Sequence, residues 1–295
     1  MKEEKKWAGT TYGNEWMHLW LIRILRYMDV RVLYIFVSIF IVPACLFLNP
    51  SYGIMYAFFR NHLGYSPIRS FWSTYINHCQ FSQVVIDKFA MYAGQKFNID
   101  MDGYEHFLSL ASQEKGFIQL SSHIGNYELA GYTLVAKNKP FNALVFGGEK
   151  KSVMRNRSKM FSGTNIHMIP IENDMSHLFE ISRVLSGGEI VSMPSDRMLG
   201  SKKYVEIDFL GEKTKFPMGP FSVATMDCYD VLAVNVMKTA MKTYKVYVTP
   251  LSYEKTASRT EQIREISNKY VRELERMVRM YPTQWYNYFD FWKDE

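Results

Sequence analysis

A chain of 295 residues that is 47% hydrophobic and 16% aromatic is long enough to bury a large core and too apolar to be intrinsically disordered. Lys and Arg number 35 against 29 Asp and Glu, a net charge of +6 and a pI near 9.0. That mild excess suits phosphates or an anionic membrane surface, but with no clustered basic stripe it excludes nucleic acid as the expected partner. Cys45, Cys79 and Cys228 are odd in number and far apart. They fit neither a disulfide framework nor a zinc site and imply a reducing, cytoplasmic compartment.

From the N-terminus, the first distinctive element is a window without charge: Arg31 and Arg60 bracket a stretch with no Lys, Arg, Asp or Glu. Within it, Val32 to Leu48 is apolar and as a helix would be roughly 25 Å long, borderline for crossing a bilayer. Pro43 is expected to bend this helix, and Asn49, Pro50 and Gly53 to end it before Ile54 to Phe59. A re-entrant or interfacial hairpin fits the pattern as well as a straight span; a buried core helix is the alternative. Upstream, Trp16, Leu19, Trp20, Arg23, Arg26 and Tyr27 mix aromatics and cations as in a helix lying among lipid headgroups. The mixed KEEKK run before it does not read as a secretory signal. Residues 1–60 are therefore expected to form an N-terminal membrane-associating helical region, and 61–295 the catalytic domain.

Phe71 to Ala93 has helical spacing. Beyond it come short apolar runs at Phe117 to Leu120, Phe141 to Phe146, His167 to Ile171, Glu189 to Met193, Val231 to Met237 and Lys245 to Leu251, separated by helical patterns. Strands alternating with helices predict an α/β fold, a mixed central sheet flanked by helices. Tyr270, Val271, Leu274, Met277, Val278 and Tyr281 form the apolar stripe of an amphipathic closing helix, with Arg272, Glu273, Glu275 and Arg276 opposite.

The chemistry gathers in GFIQLSSHIGNYELAGY, residues 116–132: a buried strand, a Ser121-Ser122 turn, then His123, Gly125, Asn126 and Glu128 where a helix begins. Strand-to-helix turns collect catalytic groups because the strand ends at the sheet edge and the helix offers free N–H donors. Five residues separate His123 from Glu128, so on a common helix they would point apart. They can meet only if His123 lies in the turn before the helix, with Glu128 accepting from one ring nitrogen while the other takes a substrate proton. As a bare spacing this signal is weak.

Its neighbours strengthen it. SSHIGNYE after a buried strand resembles the first motif of the lysophospholipid acyltransferase superfamily, a His followed five residues later by Asp or Glu. More narrowly it resembles the branch of the lipid A late (lauroyl and myristoyl) acyltransferases. MRNRSKMFSGTNIHMIPI (154–171), VSMPSDRMLG (191–200), VEIDFLGEKTKFPMGPFSVA (205–224) and PTQWYNYFDFW (282–292) resemble further segments of that branch. The resemblance implies an O-acyltransferase with His123 as general base and Glu128 as its orienting acid. It also implies that Arg157 (with Arg155 as rival), Asp196, Arg197 and Asn126 lie toward substrate. The alternative for the arginines is a salt bridge with Asp196 or Glu172. No metal or cofactor is expected. The donor is an acyl thioester, acyl carrier protein or alternatively acyl-CoA; the acceptor is a lipid hydroxyl, on a phosphorylated lipid by this reading. The expected place is the cytoplasmic face of a bacterial inner membrane. Acylation of another amphiphile, an aminolipid or polyene, and a non-catalytic lipid-binding subunit of the same fold are the competing readings. No Gly-x-Ser-x-Gly elbow occurs, which disfavours a covalent serine hydrolase.

Overall fold

The computed structural model describes residues 15–48, 51–129, 134, 136, 138–146, 164–171, 176–198 and 201–293. Its N-terminal part is helical: α1 (Glu15–Leu25), α2 (Val30–Phe36), a π-helical turn (Val37–Ile41), α3 (Val42–Leu48), α4 (Ser51–Ala57) and a second π-turn (Phe58–His62). Asp29 caps α2, its Oδ1 accepting the Arg31 N–H at 2.9 Å. Pro43 lacks the N–H a regular helix needs, and the helix widens to π geometry in the turn just before it. Among the described residues no single helix is long and apolar enough to cross a membrane; the arms Val30–Leu46 and Ser51–His62 are bent by 94°. The arms are thus broken near where the sequence expects the first helix to end.

A buried core helix does not describe the first arm. Val30 and Tyr34 face inward onto Ile86, Phe89 and Ala90, but Val32, Ile35, Phe36, Ile39, Phe40 and Ile41 are 44–62% exposed. α5 (Pro67–Tyr92) underlies both arms, capped by Ser66 with Pro67 in its first turn. It adds Ile68, Phe71, Trp72 and Ile76 to the exposed apolar surface. Phe58 and Phe59, at the end of the N-terminal helices, belong to the main core, and the Phe58 ring lies 5.0 Å from that of Trp285.

The remaining elements are β1 (Asn98–Asp102), α6 (Tyr104–Ala111), β2 (Phe117–Ser121), β3 (Phe141–Phe146), β4 (Ile166–Ile171), α7 (Ser176–Ser186), β5 (Ile190–Pro194), β6 (Tyr204–Phe209), β7 (Glu212–Pro217), α8 (Gly219–Ala224), β8 (Asp230–Ala240), β9 (Thr243–Pro250) and α9 (Arg259–Met280). Seven strands form one sheet in the order β1-β9-β8-β2-β5-β3-β4. Only β8 and β9 pair antiparallel. The expected mixed α/β sheet is thus present, with all six predicted apolar strands. β2, buried at every position, sits between β8 and β5.

Two features escape the apolar-run reading. β1 reads NIDMD, an edge strand of alternating exposure with few apolar residues to mark it. The hairpin of β6 and β7 turns at Leu210 and Gly211, both at positive φ (54° and 90°). Such a turn usually announces itself as Asn-Gly; here Leu210 is buried in the core instead, and its N–H reaches Glu275 Oε2 at 3.0 Å. α9 closes the main core with Ile266, Tyr270, Val271, Leu274, Met277 and Val278. It begins eleven residues before the stripe detected in the sequence, at a Ser258-x-x-Glu261 cap.

Candidate active site

β2 and β5 are parallel neighbours, in a register that sets Ser121 beside Pro194. Adjacent strands lie about 4.8 Å apart, so the residues two places beyond each strand end, His123 and Asp196, leave the same sheet edge side by side. The His123 Nδ1 to Asp196 Oδ1 distance is 2.7 Å, and the His123 backbone N–H donates to Asp196 Oδ2 at 2.8 Å. Both carboxylate oxygens accept, which assigns the proton to Nδ1 and leaves the Nε2 lone pair for substrate. Among the described residues Nε2 carries no hydrogen bond, and the side chain is 16% exposed, whereas that of Asp196 is 2% exposed.

The turn carrying His123 is held on every side. Tyr286 N–H donates to His123 O at 3.0 Å, Gly125 N–H to Gln284 O at 2.8 Å and Asn126 N–H to Val236 O at 2.7 Å. Gly125 has φ +60°, and a Cβ there would stand 2.1 Å from Val236 O. Only glycine fits both the left-handed backbone and the close approach. Ser195 N–H donates to Ser121 O at 2.9 Å, so the amides of Ser195, His123, Gly125 and Asn126 are all engaged and none is left to serve as an oxyanion donor.

Burial pushes the His123 imidazole below its ordinary value; Asp196 opposes this by charge and hydrogen bond, Arg197 adds to it, and Glu128 opposes it from further off. Asp196 is held below the usual carboxylate range: burial would raise it, but His123 and Arg197 outweigh that. The dyad therefore rests as neutral imidazole beside carboxylate, the state a general base needs.

The expected pairing of His123 with Glu128 is not the one the structure makes. The helix begins only at Tyr127, and Glu128 in its first turn takes Lys88 of α5, with Nζ to Oε1 at 2.8 Å. Asp196, expected toward substrate, holds the His123 ring and backbone through its two oxygens. Asn126 is likewise turned into the fold, 2% exposed, its Nδ2 donating to Tyr244 Oη at 3.3 Å. The Arg197 guanidinium donates to Tyr286 O at 2.9 Å and lies 5.5 Å from the Phe289 ring centroid. Arg157, Arg155 and Glu172 lie outside the described residues. Ser122 donates to Asn235 Oδ1 at 3.3 Å and is buried, a poor placement for a nucleophile. Lys88 was missed by the site reading, though Asp87 and Lys88 are the only charged residues between Arg69 and Lys96. Gln284 and Tyr286 lie in the PTQWY segment, whose role in bracing the turn no spacing announces.

His123 with the buried Asp196 behind it, at the carboxyl edge of a mixed α/β sheet, forms a histidine–carboxylate dyad whose Nε2 can take up a proton. The particular family follows from comparison: the bacterial lipid A biosynthesis acyltransferase model matches residues 85–294, and the chain belongs to that family. The phosphatidylinositol mannoside acyltransferase of Mycolicibacterium smegmatis is 24% identical over 127 residues, 43% of this chain and 41% of that protein. Its counterpart in Mycobacterium tuberculosis is 25% identical over 123 residues, 41% and 39% of the two chains. The matched stretch thus spans about two fifths of these curated relatives. Among solved structures, the 1-acyl-sn-glycerophosphate acyltransferase PlsC from Thermotoga maritima is similar at TM-score 0.38 and 14% identity, covering 93% of this chain and 100% of that one.

Proposed function

We propose that this protein is an acyltransferase that moves a fatty acyl chain from a thioester to a hydroxyl of a membrane lipid, with His123 as general base and Asp196 as the residue that orients it. The observation that carries this reading is the His123–Asp196 contact at 2.7 Å, which leaves Nε2 to receive a proton. His123 Nε2 takes the acceptor's O–H proton as the oxygen attacks the thioester carbonyl. The C–O bond forms, the C–S bond breaks, and the imidazolium returns its proton to the departing thiolate. Asp196 stabilises the imidazolium formed between these steps. Acyl carrier protein is the proposed donor, because a chain of net charge +6 favours an acidic carrier. Acyl-CoA is the second candidate. A phosphorylated glycolipid is the proposed acceptor, with Arg157 and Arg197 suited to phosphate by their fork of donors.

The proposed location is the cytoplasmic face of a bacterial inner membrane. Supporting it, Ile35, Phe36, Ile39 and Phe40 of the first arm and Ile68, Phe71, Trp72 and Ile76 of α5 are all exposed, and Tyr75 of α5 donates to Ser38 O of that arm at 2.8 Å; exposed apolar residues in such number suit a lipid-facing surface. Arg23, Arg31 and Arg69 lie on helices bordering that surface, where lipid phosphates would meet them. The test is direct: protein in anionic vesicles, given an acyl-carrier-protein thioester and a phosphorylated glycolipid, yields acylated lipid, and His123→Ala abolishes it. Full activity in the alanine variant would refute the base assignment. Transfer only from acyl-CoA, or only to another amphiphile, would replace the donor or the acceptor.

A further inference from the structure

No step of the proposed reaction uses Asp87, yet the fold invests heavily in it. Asp87 of α5 is fully buried and forms an ion pair with Lys238 of β8, itself 7% exposed. Tyr34 of α2 and Tyr244 of β9 both donate their hydroxyls to the same carboxylate. Lys238 Nζ also donates to Tyr34 Oη at 3.0 Å. Four side chains from four elements thus meet in one enclosed polar cluster. Withdrawing two charges from water costs several kcal/mol per ion, and a buried pair can often be replaced by apolar residues without loss of stability. Stability alone therefore gives little reason for this cluster.

Its connections give a better one, since two routes run from the pair to the turn that carries His123. The first is through side chains: Asn126 Nδ2 donates to Tyr244 Oη at 3.3 Å, and Tyr244 donates to Asp87. The second passes through Gln284. Its Oε1 accepts the Lys238 N–H at 2.9 Å and its Nε2 donates to Lys238 O at 2.8 Å, while its own carbonyl takes the Gly125 N–H at 2.8 Å. Asp87, Lys238, Gln284, Gly125, Asn126 and Tyr244 so form a closed ring around the turn. Tyr34 adds a third branch that leads out to the N-terminal helices, because α2 is seated on α5 through Val30, Tyr34, Ile86, Phe89 and Ala90.

We propose that the Asp87–Lys238 pair, closed by Tyr34, is the positioning element of the His123 turn, so that seating of the N-terminal helices on α5 is coupled to catalytic competence. This rests on the reading of His123 as the base. Burial pushes the Asp87 carboxyl up and the Lys238 ammonium down, each opposed by the other's charge, so both groups depend on the cluster staying closed. Tyr34, Asp87 and Lys238 touch no reacting atom in this scheme; they act through Tyr244, Asn126 and Gln284.

The experiment uses the full chain in anionic vesicles and reads two quantities: steady-state acyl transfer and the downfield Nδ1–H proton resonance of His123. Tyr34→Phe and Tyr244→Phe each remove one hydroxyl and keep the ring. Each is expected to lower kcat about tenfold, with KM for donor and acceptor within about twofold, and to shift the resonance, as a small misplacement of the base would. The double variant Asp87→Leu/Lys238→Met, which removes the charges at similar volume, should fold and show the same split. Unchanged kcat with an unmoved resonance, in the tyrosine variants or the folded double variant, would overturn the coupling. Loss in proportion to a lowered melting temperature would also overturn it, as that is the mark of a structural role. If the wild-type protein transfers no acyl chain but the resonance shifts as expected, the proposed reaction fails and the coupling stands.

Discussion

His123 Nδ1 and Asp196 Oδ1 stand 2.7 Å apart although 73 residues separate them in sequence. Their meeting follows from one register, Ser121 beside Pro194 on parallel strands, and it divides labour between the acids near the histidine. Asp196 orients the ring; Glu128 is committed to Lys88. Asp196→Asn should therefore lower kcat by about 10²- to 10⁴-fold, the usual worth of a positioned base. Glu128→Gln, which keeps an oxygen for Lys88, should cost markedly less. Steady-state rates for the two variants check this; an equal or larger loss in Glu128→Gln would return the orienting role to Glu128.

The pH dependence has a definite sign. Because burial holds His123 below its ordinary value of 6.5, kcat/KM should rise with pH through a midpoint below 6.5. Arg197 contributes to that lowering, so Arg197→Gln should move the midpoint up, and Asp196→Asn should move it down. The pH–rate profiles of the three proteins give the answer.

Folding stability carries the same signature. A histidine whose folded value is depressed binds its proton more readily in the unfolded chain, so its contribution is present above 6.5 and is lost as pH falls through the folded value. His62 and His78 are lowered by burial as well. The thermal midpoint of the detergent-solubilised protein should fall as pH drops below 6.5, and His78→Gln should flatten that slope. A midpoint that rises on acidification in this window would contradict the assignment.

Gly125→Ala places a Cβ 2.1 Å from Val236 O at a φ of +60°. Left-handed strain alone costs about 1–3 kcal/mol, and here backbone must also move. The variant should lose at least this much stability in urea titration. It should also lose acyl transfer, because the displaced turn carries His123.

Membrane attachment should be apolar more than electrostatic. Phe36, Ile39 and Phe40 are 50%, 57% and 62% exposed on one arm, and screening does not weaken apolar insertion. In vesicle flotation, high salt should leave the wild-type protein bound, while Phe36→Ser/Ile39→Ser/Phe40→Ser should remain in the supernatant.

Much of the architecture was legible in the chain because it is written locally. Apolar runs such as Phe117 to Leu120 become buried strands wherever they fall, and the stripe from Tyr270 to Val278 allows only an amphipathic helix. β1 and the β6–β7 turn were not legible, since NIDMD carries little apolar signal and Leu210 occupies a place where Asn or Gly would mark the bend. The site divides in the same way. His123 stood out through its place after a strand and its GNYE neighbours. Its true partner did not, because a contact across 73 residues is fixed by strand register, which no local spacing encodes.

Sequence by itself determined the α/β class, the uncharged hairpin and the histidine at the strand end, all consequences of short-range pattern. Only the tertiary structure decided which carboxylate faces the ring, where Asn126 points and why Asp87 is buried. Those outcomes depend on β2, β5, β8, α5 and the C-terminal segment converging on one turn, and convergence is set by packing of elements distant in the chain.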